Sequence, residues 1–465
     1  MHSIRAVSSL EFPETRVFPG TMQISEDGQL YIGGCSTTQL AQTYGTPLFV
    51  YDEDLLRANI QAFHKAFQQF DVDYSVAYAS KAFCTKAIIQ LVQEEGCALD
   101  VVSGGELYTA LAAGMKPEHI HFHGNNKTRD ELEYAVEQSI GTVVVDNFDE
   151  LILLNNIAKA KAKAVRILLR ISPGVEAHTH EYIATGQQDS KFGFDLESGQ
   201  AHDAIVRLTE LPHLQCIGLH AHIGSQIFDS RGFMEAVSRL GKLFDEAQRL
   251  GLDFPVMNLG GGFGIRYTDE DHPIPIVDMI RDTVQAVIQH FAEKGRPCPE
   301  IWVEPGRAIV GPAGATLYTV GSRKQISGIR NYVSVDGGMV DNPRLALYGA
   351  RYEALLANRA NDTDDGIWSV AGKSCESGDM LIWDIPLPHP QPNDILCVLS
   401  TGAYNYSMAS HYNRIPHPAV VFVRDGKARK VVRRETWEDV TRFDCDCDDE
   451  PVSLAAVSAS VNDEV

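Results

Sequence analysis

From residue 74 onward the chain alternates between two hydrophobic patterns. Short β-branched apolar runs stand at YSVAYASK from residue 74, ALDVVSGGE from 98, HIHFHGN from 119, TVVVDN from 142 and VRILLRISP from 165. Three more follow: CIGLHAHIGS from 216, PVMNLGGGFG from 255 and IWVEPGRAIV from 301. Between them lie segments such as CTKAIIQLVQEE, GELYTALAAG, RDELEYAVEQ and RGFMEAVSRLGKLFDEAQRL, whose apolar residues recur at helical spacing with charges on the opposite face. Strand and helix repeated eight times over roughly 240 residues predict a (β/α)8 barrel of TIM type within an α/β chain. A doubly wound open sheet shares that local rhythm, but it gathers its chemistry at one switch point. Here Lys81, Ser103, His123, Asn125, His222, Gly260, Gly261, Gly262 and Glu304 are spread over the ends of many strands, as a barrel site requires.

Beyond residue 311 the helical rhythm stops. ATLYTVGSRKQ, NYVSVDGG, IWSVAG, DMLIWD, DILCVLS and AVVFVRDGKARKVV read as strands of a β-rich second domain, sandwich-like or barrel-like, over 311–442. Residues 1–49, with GQLYIGG and TPLFVYD, are also strand-like and are expected to pack on that domain, leaving 50–310 as the barrel. The acidic and then small, polar tail 443–465 is expected to be disordered; its CDC at 445–447 offers too few ligands for a metal site.

Length and charge narrow the function. A chain of 465 residues exceeds the usual size of one core, which agrees with two domains. Forty lysines and arginines against 62 acidic residues give a formal charge of −22, a field that repels nucleic acid and anionic membranes. The first thirty residues lack a long apolar core and no later run has the length of a membrane span, so a soluble, cytoplasmic protein is expected. Nine cysteines, an odd number without regular spacing, argue for a reducing compartment.

Several motifs carry possible chemistry. The glycines of NLGGGFG would let backbone N–H groups approach an anion such as a phosphate, although glycine runs also form plain turns. Arg307 in EPGR could clamp the same phosphate or sit in a surface turn. His220 and His222 in HAHIGSQ lie two apart on a strand, hence on one face. Zinc would need a third ligand, for which HTH at 178–180 is a candidate; packing, ring stacking and acid–base roles are the other readings. Lys81 ends the first strand in an apolar setting, where burial would disfavour the ammonium and free the amine for Schiff-base chemistry. A lysine, a phosphate cradle, an arginine and the carboxylate Glu304 on separate strand ends together match the needs of pyridoxal phosphate, and no metal is called for.

The motifs YASKA, DVVSGGELYTAL, FHGNNK, HEYIATGQQDSKFGF, GLHAHIGSQI, NLGGGFG, EPGRAIVG, VDGGMVDNPR, CESGD and GAYNYSMAS occur in this order from about residue 25 to 440. With them the chain resembles the diaminopimelate decarboxylases, barrel-fold pyridoxal-phosphate decarboxylases related to alanine racemase. The resemblance implies that Lys81 carries the cofactor aldehyde, that His222 stacks on its ring and that Glu304 faces its pyridine nitrogen. It also implies that Ser225, Gly260, Gly261, Gly262, Arg307 and Tyr404 hold the phosphate or its neighbourhood. Arg344 and Tyr348, with Arg307, Glu376 and Tyr404, would bind the substrate. The implied assembly is a homodimer in which the partner's CESGD loop completes each site and Cys375 protonates the carbon left after decarboxylation. An ordinary thiol is mostly protonated at neutral pH and can serve that purpose.

The implied reaction is conversion of meso-2,6-diaminopimelate to L-lysine and carbon dioxide. Leu345, where many members of the family have proline, and Phe83, where asparagine is commoner, depart from the pattern near the pocket. They leave open a related substrate such as ornithine, arginine, carboxynorspermidine or an intermediate of specialised metabolism. Arg344 favours a substrate with a distal carboxylate. Racemisation would need bases on both cofactor faces, and no racemase-like stretch follows Lys81. A non-catalytic binding protein is disfavoured by the joint presence of Lys81, His222, Glu304 and Cys375.

Overall fold

The computed structural model describes residues 18–175 and 190–446. The HTH sequence at 178–180, most of HEYIATGQQDSKFGF and the tail beyond residue 446 lie outside the described residues.

The eight apolar runs form eight parallel strands: Tyr74–Ala79, Ala98–Val101, Ile120–Phe122, Thr142–Val145, Val165–Ser172, Leu214–Ala221, Val256–Asn258 and Glu300–Val303. Each pairs with the next, the eighth pairs with the first and the fourth with the fifth, so the sheet closes into a barrel. The helices between them carry their own start signals. Ser103, Thr128 and Asn147 each accept a hydrogen bond from a first-turn N–H, satisfying donors that an uncapped helix would leave open. The last strand is shorter than IWVEPGRAIV suggested: it stops at Val303, and Arg307–Val310 forms one helical turn. No long helix follows it. Helix Glu53–Phe67, which precedes the first strand, packs beside helix Ile276–Ala292 and closes the outer ring.

Side chains alternate along a strand, so each barrel strand sends every second residue inward. The inner floor is apolar, built from Val144, Leu168, Ile217, Val256 and Trp302. Two residues further along each strand the inward positions become polar: Arg170 above Leu168, Asn258 above Val256 and Glu304 above Trp302. The sixth strand meets this scheme through a register slip between Cys216 and Gly218. Gly218 there has φ of 155°, and a Cβ would lie 1.8 Å from the Val256 carbonyl oxygen.

The second domain is a sheet built round the long strand Gly314–Ile326. Strand Leu48–Asp52 pairs antiparallel with it and parallel with Ala419–Arg424, so the N-terminal segment does join this sheet. That segment also contains helix Thr37–Tyr44, and its strands Gln23–Ile24, Leu30–Ile32 and Cys35–Ser36 form a small sheet of their own. Strand Ala354–Leu356 and the short helices Arg344–Tyr348 and Trp437–Thr441 had no counterpart in the sequence pattern. Among the described residues no helix is long and apolar enough to cross a membrane.

Candidate active site

A cavity of about 520 Å³ opens at the carboxyl ends of the barrel strands, where the second domain leans over them. This is a volume suited to a small organic ligand. A buried carboxylate, Glu304, lines the cavity one residue past the eighth strand. Glu304 Oε2 lies 3.1 Å from His220 Nε2, Oε1 lies 3.2 Å from His123 Nε2, and the Asn258 amide donates to Oε1 at 2.6 Å. Burial alone would raise the Glu304 carboxyl, but His123 and His220 outweigh it and hold the group well below the usual carboxylate range. Burial would likewise lower His123, yet Glu304 and Asp100 push it up to about 9. His220 is lowered by burial despite its contact with Glu304. The arrangement is therefore an anion beside one cationic and one neutral imidazole, with His220 donating through Nε2.

This pairing answers the zinc reading of His220 and His222. His220, His123 and Glu304 bring their ligand atoms within reach of one ion, with the Glu304 carboxylate shared between the two rings, and His222 is not among them. His222 turns elsewhere: its Nδ1 accepts the Gly261 N–H at 3.3 Å, and burial together with the Lys81 charge pushes it well below the ordinary imidazole value. The result is a neutral ring facing the cavity.

Lys81 lies in the short turn Ser80–Ala82 after the first strand and lines the cavity. It is exposed there, not buried as its apolar sequence neighbours suggested, because the strand ends where the cavity opens. The glycine turn is as tight as three glycines in a row imply. A Cβ on Gly261 would stand 2.1 Å from the Glu304 carbonyl oxygen, and one on Gly262, at φ of 103°, 2.3 Å from that of Gly224. Gly261 and Gly262 line the cavity, whereas Gly260 does not, its N–H being spent on Asn258 Oδ1 at 2.9 Å.

Arg307 and Arg344 supply cationic character. Arg307 donates to the Tyr267 hydroxyl at 2.6 Å and to Ser225 Oγ at 2.8 Å, with Tyr404 beneath its guanidinium at 4.9 Å. Arg344 donates to the Tyr352 hydroxyl at 2.8 Å and stands 4.9 Å over Tyr267. Burial alone would raise the Tyr267 phenol, but Arg307 and Arg344 outweigh it and lower the group. Tyr404 reaches the cavity from the second domain: its N–H donates to the Ala82 carbonyl at 2.7 Å, and its φ is 71°, an uncommon conformation for a bulky residue. Tyr348 also lines the cavity.

Four sequence candidates stand apart. Ser103 caps its helix, and the Asn125 carbonyl accepts from Asn147. Cys375 and Glu376 are exposed on the second domain and do not line this chain's cavity. Conversely, Asp100, Arg170, Asn258, Tyr267 and Tyr352 belong to the site and were not singled out. For Asp100, Arg170 and Asn258 the signal was available, a polar residue inside an otherwise apolar strand; the two tyrosines gave none.

The residues present fit pyridoxal phosphate. Arg307 keeps its buried Nε without a partner among the described residues, an open donor beside Ser225 and the glycine turn that suits a phosphate. The firmly anionic Glu304 suits a protonated ring nitrogen, and Lys81 offers an amine to an aldehyde.

Comparison with known proteins agrees. Residues 54–311 match the family described as pyridoxal-dependent decarboxylase, pyridoxal binding domain. The diaminopimelate decarboxylase of Bacillus subtilis is 55% identical over 426 residues, covering 91% of this chain and 97% of that protein. That of Halalkalibacterium halodurans is 56% identical over 428 residues, covering 92% and 98%. Among solved structures, the diaminopimelate decarboxylase of M. jannaschii in co-complex with L-lysine matches with a TM-score of 0.86 at 33% identity, covering 92% of this chain and 98% of that one.

Proposed function

The chain belongs to the diaminopimelate decarboxylases, within the pyridoxal-dependent decarboxylases, and from that premise we propose how its residues divide the work. The enzyme is a carbon–carbon lyase that converts meso-2,6-diaminopimelate to L-lysine and carbon dioxide, the last step of lysine biosynthesis, with pyridoxal phosphate as cofactor. When bound, that cofactor supplies an electron-accepting ring over which the charge left by a departing carboxyl group spreads.

Lys81 would hold the cofactor through its side-chain amine, which suits an aldehyde. Glu304, kept anionic by His123 and His220, accepts a hydrogen bond from the ring nitrogen and so keeps a proton on that atom. A carboxylate has about four acceptor positions, so the contacts from His123, His220 and Asn258 leave room for one more. Asn258 and the two histidines fix the carboxylate in place. His222, held neutral, supports the ring without adding a competing positive charge. Ser225, Gly260, Gly261, Gly262, Arg307 and Tyr404 bind the phosphate or border it, Gly260 through the shape of the turn.

Arg344, Tyr348, Arg307 and Tyr404 bind the substrate, the guanidinium of Arg344 taking the distal carboxylate. Cys375 and Glu376 of the partner subunit complete the site in a cytoplasmic homodimer: the thiol delivers a proton to the carbon that lost carbon dioxide, and Glu376 pairs with a substrate ammonium. Exposure of both residues outside their own chain's cavity supports that arrangement.

The observation that carries the substrate is Arg344, a buried guanidinium held by hydroxyls and ring faces beside Lys81's cavity. A distal amine would call for an acid there. The test is carbon dioxide release by the pure holoenzyme from meso-diaminopimelate, L-ornithine and L-arginine. Release from the first is expected, and release only from the other two would overturn the assignment.

A further inference from the structure

A second group of ligating side chains lies on the β-rich domain, outside the cavity. His411 and His417 flank the turn Tyr412–Arg414, and Glu435 stands just before helix Trp437–Thr441. Two left-handed residues, Asn413 and Arg414 at φ of 53° and 56°, turn the chain back and bring the two histidines face to face. Their ring centroids are 4.1 Å apart at 16°. Each ring directs a nitrogen to the same carboxylate: His411 Nε2 lies 2.6 Å from Glu435 Oε2, and His417 Nδ1 lies 3.5 Å from Oε1. Glu435 is fixed by the His417 backbone N–H, which donates to Oε2 at 2.9 Å.

A single divalent ion takes two neutral imidazoles and one carboxylate at once, and these three side chains already bring one ligand atom each together. Zinc binds such nitrogen and oxygen donors at about 2.0–2.2 Å in a tetrahedron, which places ligand atoms roughly 3.3 Å apart. The three ligand atoms here all lie within 4.8 Å of one another, so small rotations of side chains suffice. Side-chain exposures of 40% for His411, 25% for His417 and 24% for Glu435 leave an entry path.

We infer that His411, His417 and Glu435 form a site for one divalent transition-metal ion of zinc's class, with water completing its coordination. The ion fastens the 411–417 loop to the segment entering the helix Trp437–Thr441. That loop carries Asn413, whose Oδ1 accepts the Cys375 N–H at 2.7 Å. Occupancy therefore steadies the loop that bears Cys375, a consequence that rests on the role proposed for that thiol, whereas the metal site itself does not.

The test uses chelator-treated holoenzyme titrated with cobalt(II), followed by visible ligand-field absorption and by metal analysis after gel filtration. One cobalt per chain is expected, displaced by zinc. His411→Asn and Glu435→Gln, both at partly exposed positions, should each weaken binding by at least about tenfold while the far-ultraviolet circular dichroism stays unchanged. Wild-type protein that retains no cobalt overturns the inference. So do folded variants that bind cobalt as the wild type does, or binding that disappears in Cys375→Ser and persists in His411→Asn.

Discussion

Glu304 draws its charge from its neighbours, and those neighbours make its environment sensitive to pH. His123 has its proton affinity pushed up to about 9 in the folded protein, above the value near 6.5 of a free imidazole. A group raised on folding stabilises the fold fully below its unfolded value and loses that contribution as pH rises through the folded one. Wild-type apoprotein should therefore lose thermal stability between about pH 6.5 and 9, and His123→Asn should show a flatter melting profile over that window. Equal slopes for the two would show that His123 is not held as a cation. Glu304 has the opposite sign: its contribution is present above the ordinary carboxylate range and falls away only in acid. For the lysine, borohydride reduction followed by peptide mass analysis should place a pyridoxyl group on Lys81; an unmodified Lys81 in cofactor-loaded enzyme would overturn its assignment. Cys375→Ala should spare cofactor binding and slow turnover by about 10²- to 10⁴-fold, the usual worth of a positioned proton donor, as read from steady-state kinetics and the cofactor spectrum.

Among the elements, the barrel strands do two jobs by position alone. Their inward residues are apolar at the floor and polar two residues later, so each strand contributes first to the core and then to the site. The alternation is plain for Leu168 and Arg170, or Trp302 and Glu304, once the strand is known to be buried on both faces. The sixth strand needs its irregularity at Gly218 to bring both Ile217 to the floor and His220 to Glu304. A Cβ at Gly218 would meet the Val256 carbonyl oxygen at 1.8 Å, a backbone atom that cannot swing aside. Gly218→Ala should cost about 3 kcal/mol in denaturant unfolding and disturb the contact of His220 with Glu304. A stability within a few tenths of a kcal/mol of wild type would mean that the two strands can separate freely.

At the scale of the molecule, the cavity depends on contacts between distant parts of the chain. Tyr404 crosses from the second domain to the turn bearing Lys81, and Arg344 enters from a short helix that follows the strand Arg330–Val335 of that domain. The proposed homodimer extends the same principle to a second chain. Mixing Lys81→Ala with Cys375→Ala should then generate hybrid dimers in which one site keeps both residues, recovering about a quarter of wild-type activity at equal mixing. No recovery after verified subunit exchange would count against shared sites.

The sequence by itself determined the barrel, because eight apolar runs alternating with amphipathic helices have few other ways to bury their surfaces. It determined the second, β-rich domain and the location of chemistry at strand ends for the same local reasons. It also marked Lys81, His222, Glu304 and Arg307, whose unusual types at the ends of apolar runs are visible without coordinates. Only the tertiary structure decided which histidines hold Glu304, that Lys81 is exposed to the cavity, and that Gly260 spends its N–H on Asn258. Only it united Tyr267 and Tyr352 with Arg307 and Arg344, or His411 and His417 with Glu435. Those contacts join residues from separate elements, and a hydrophobic period carries information about the face a residue occupies but none about the distant side chain it will meet.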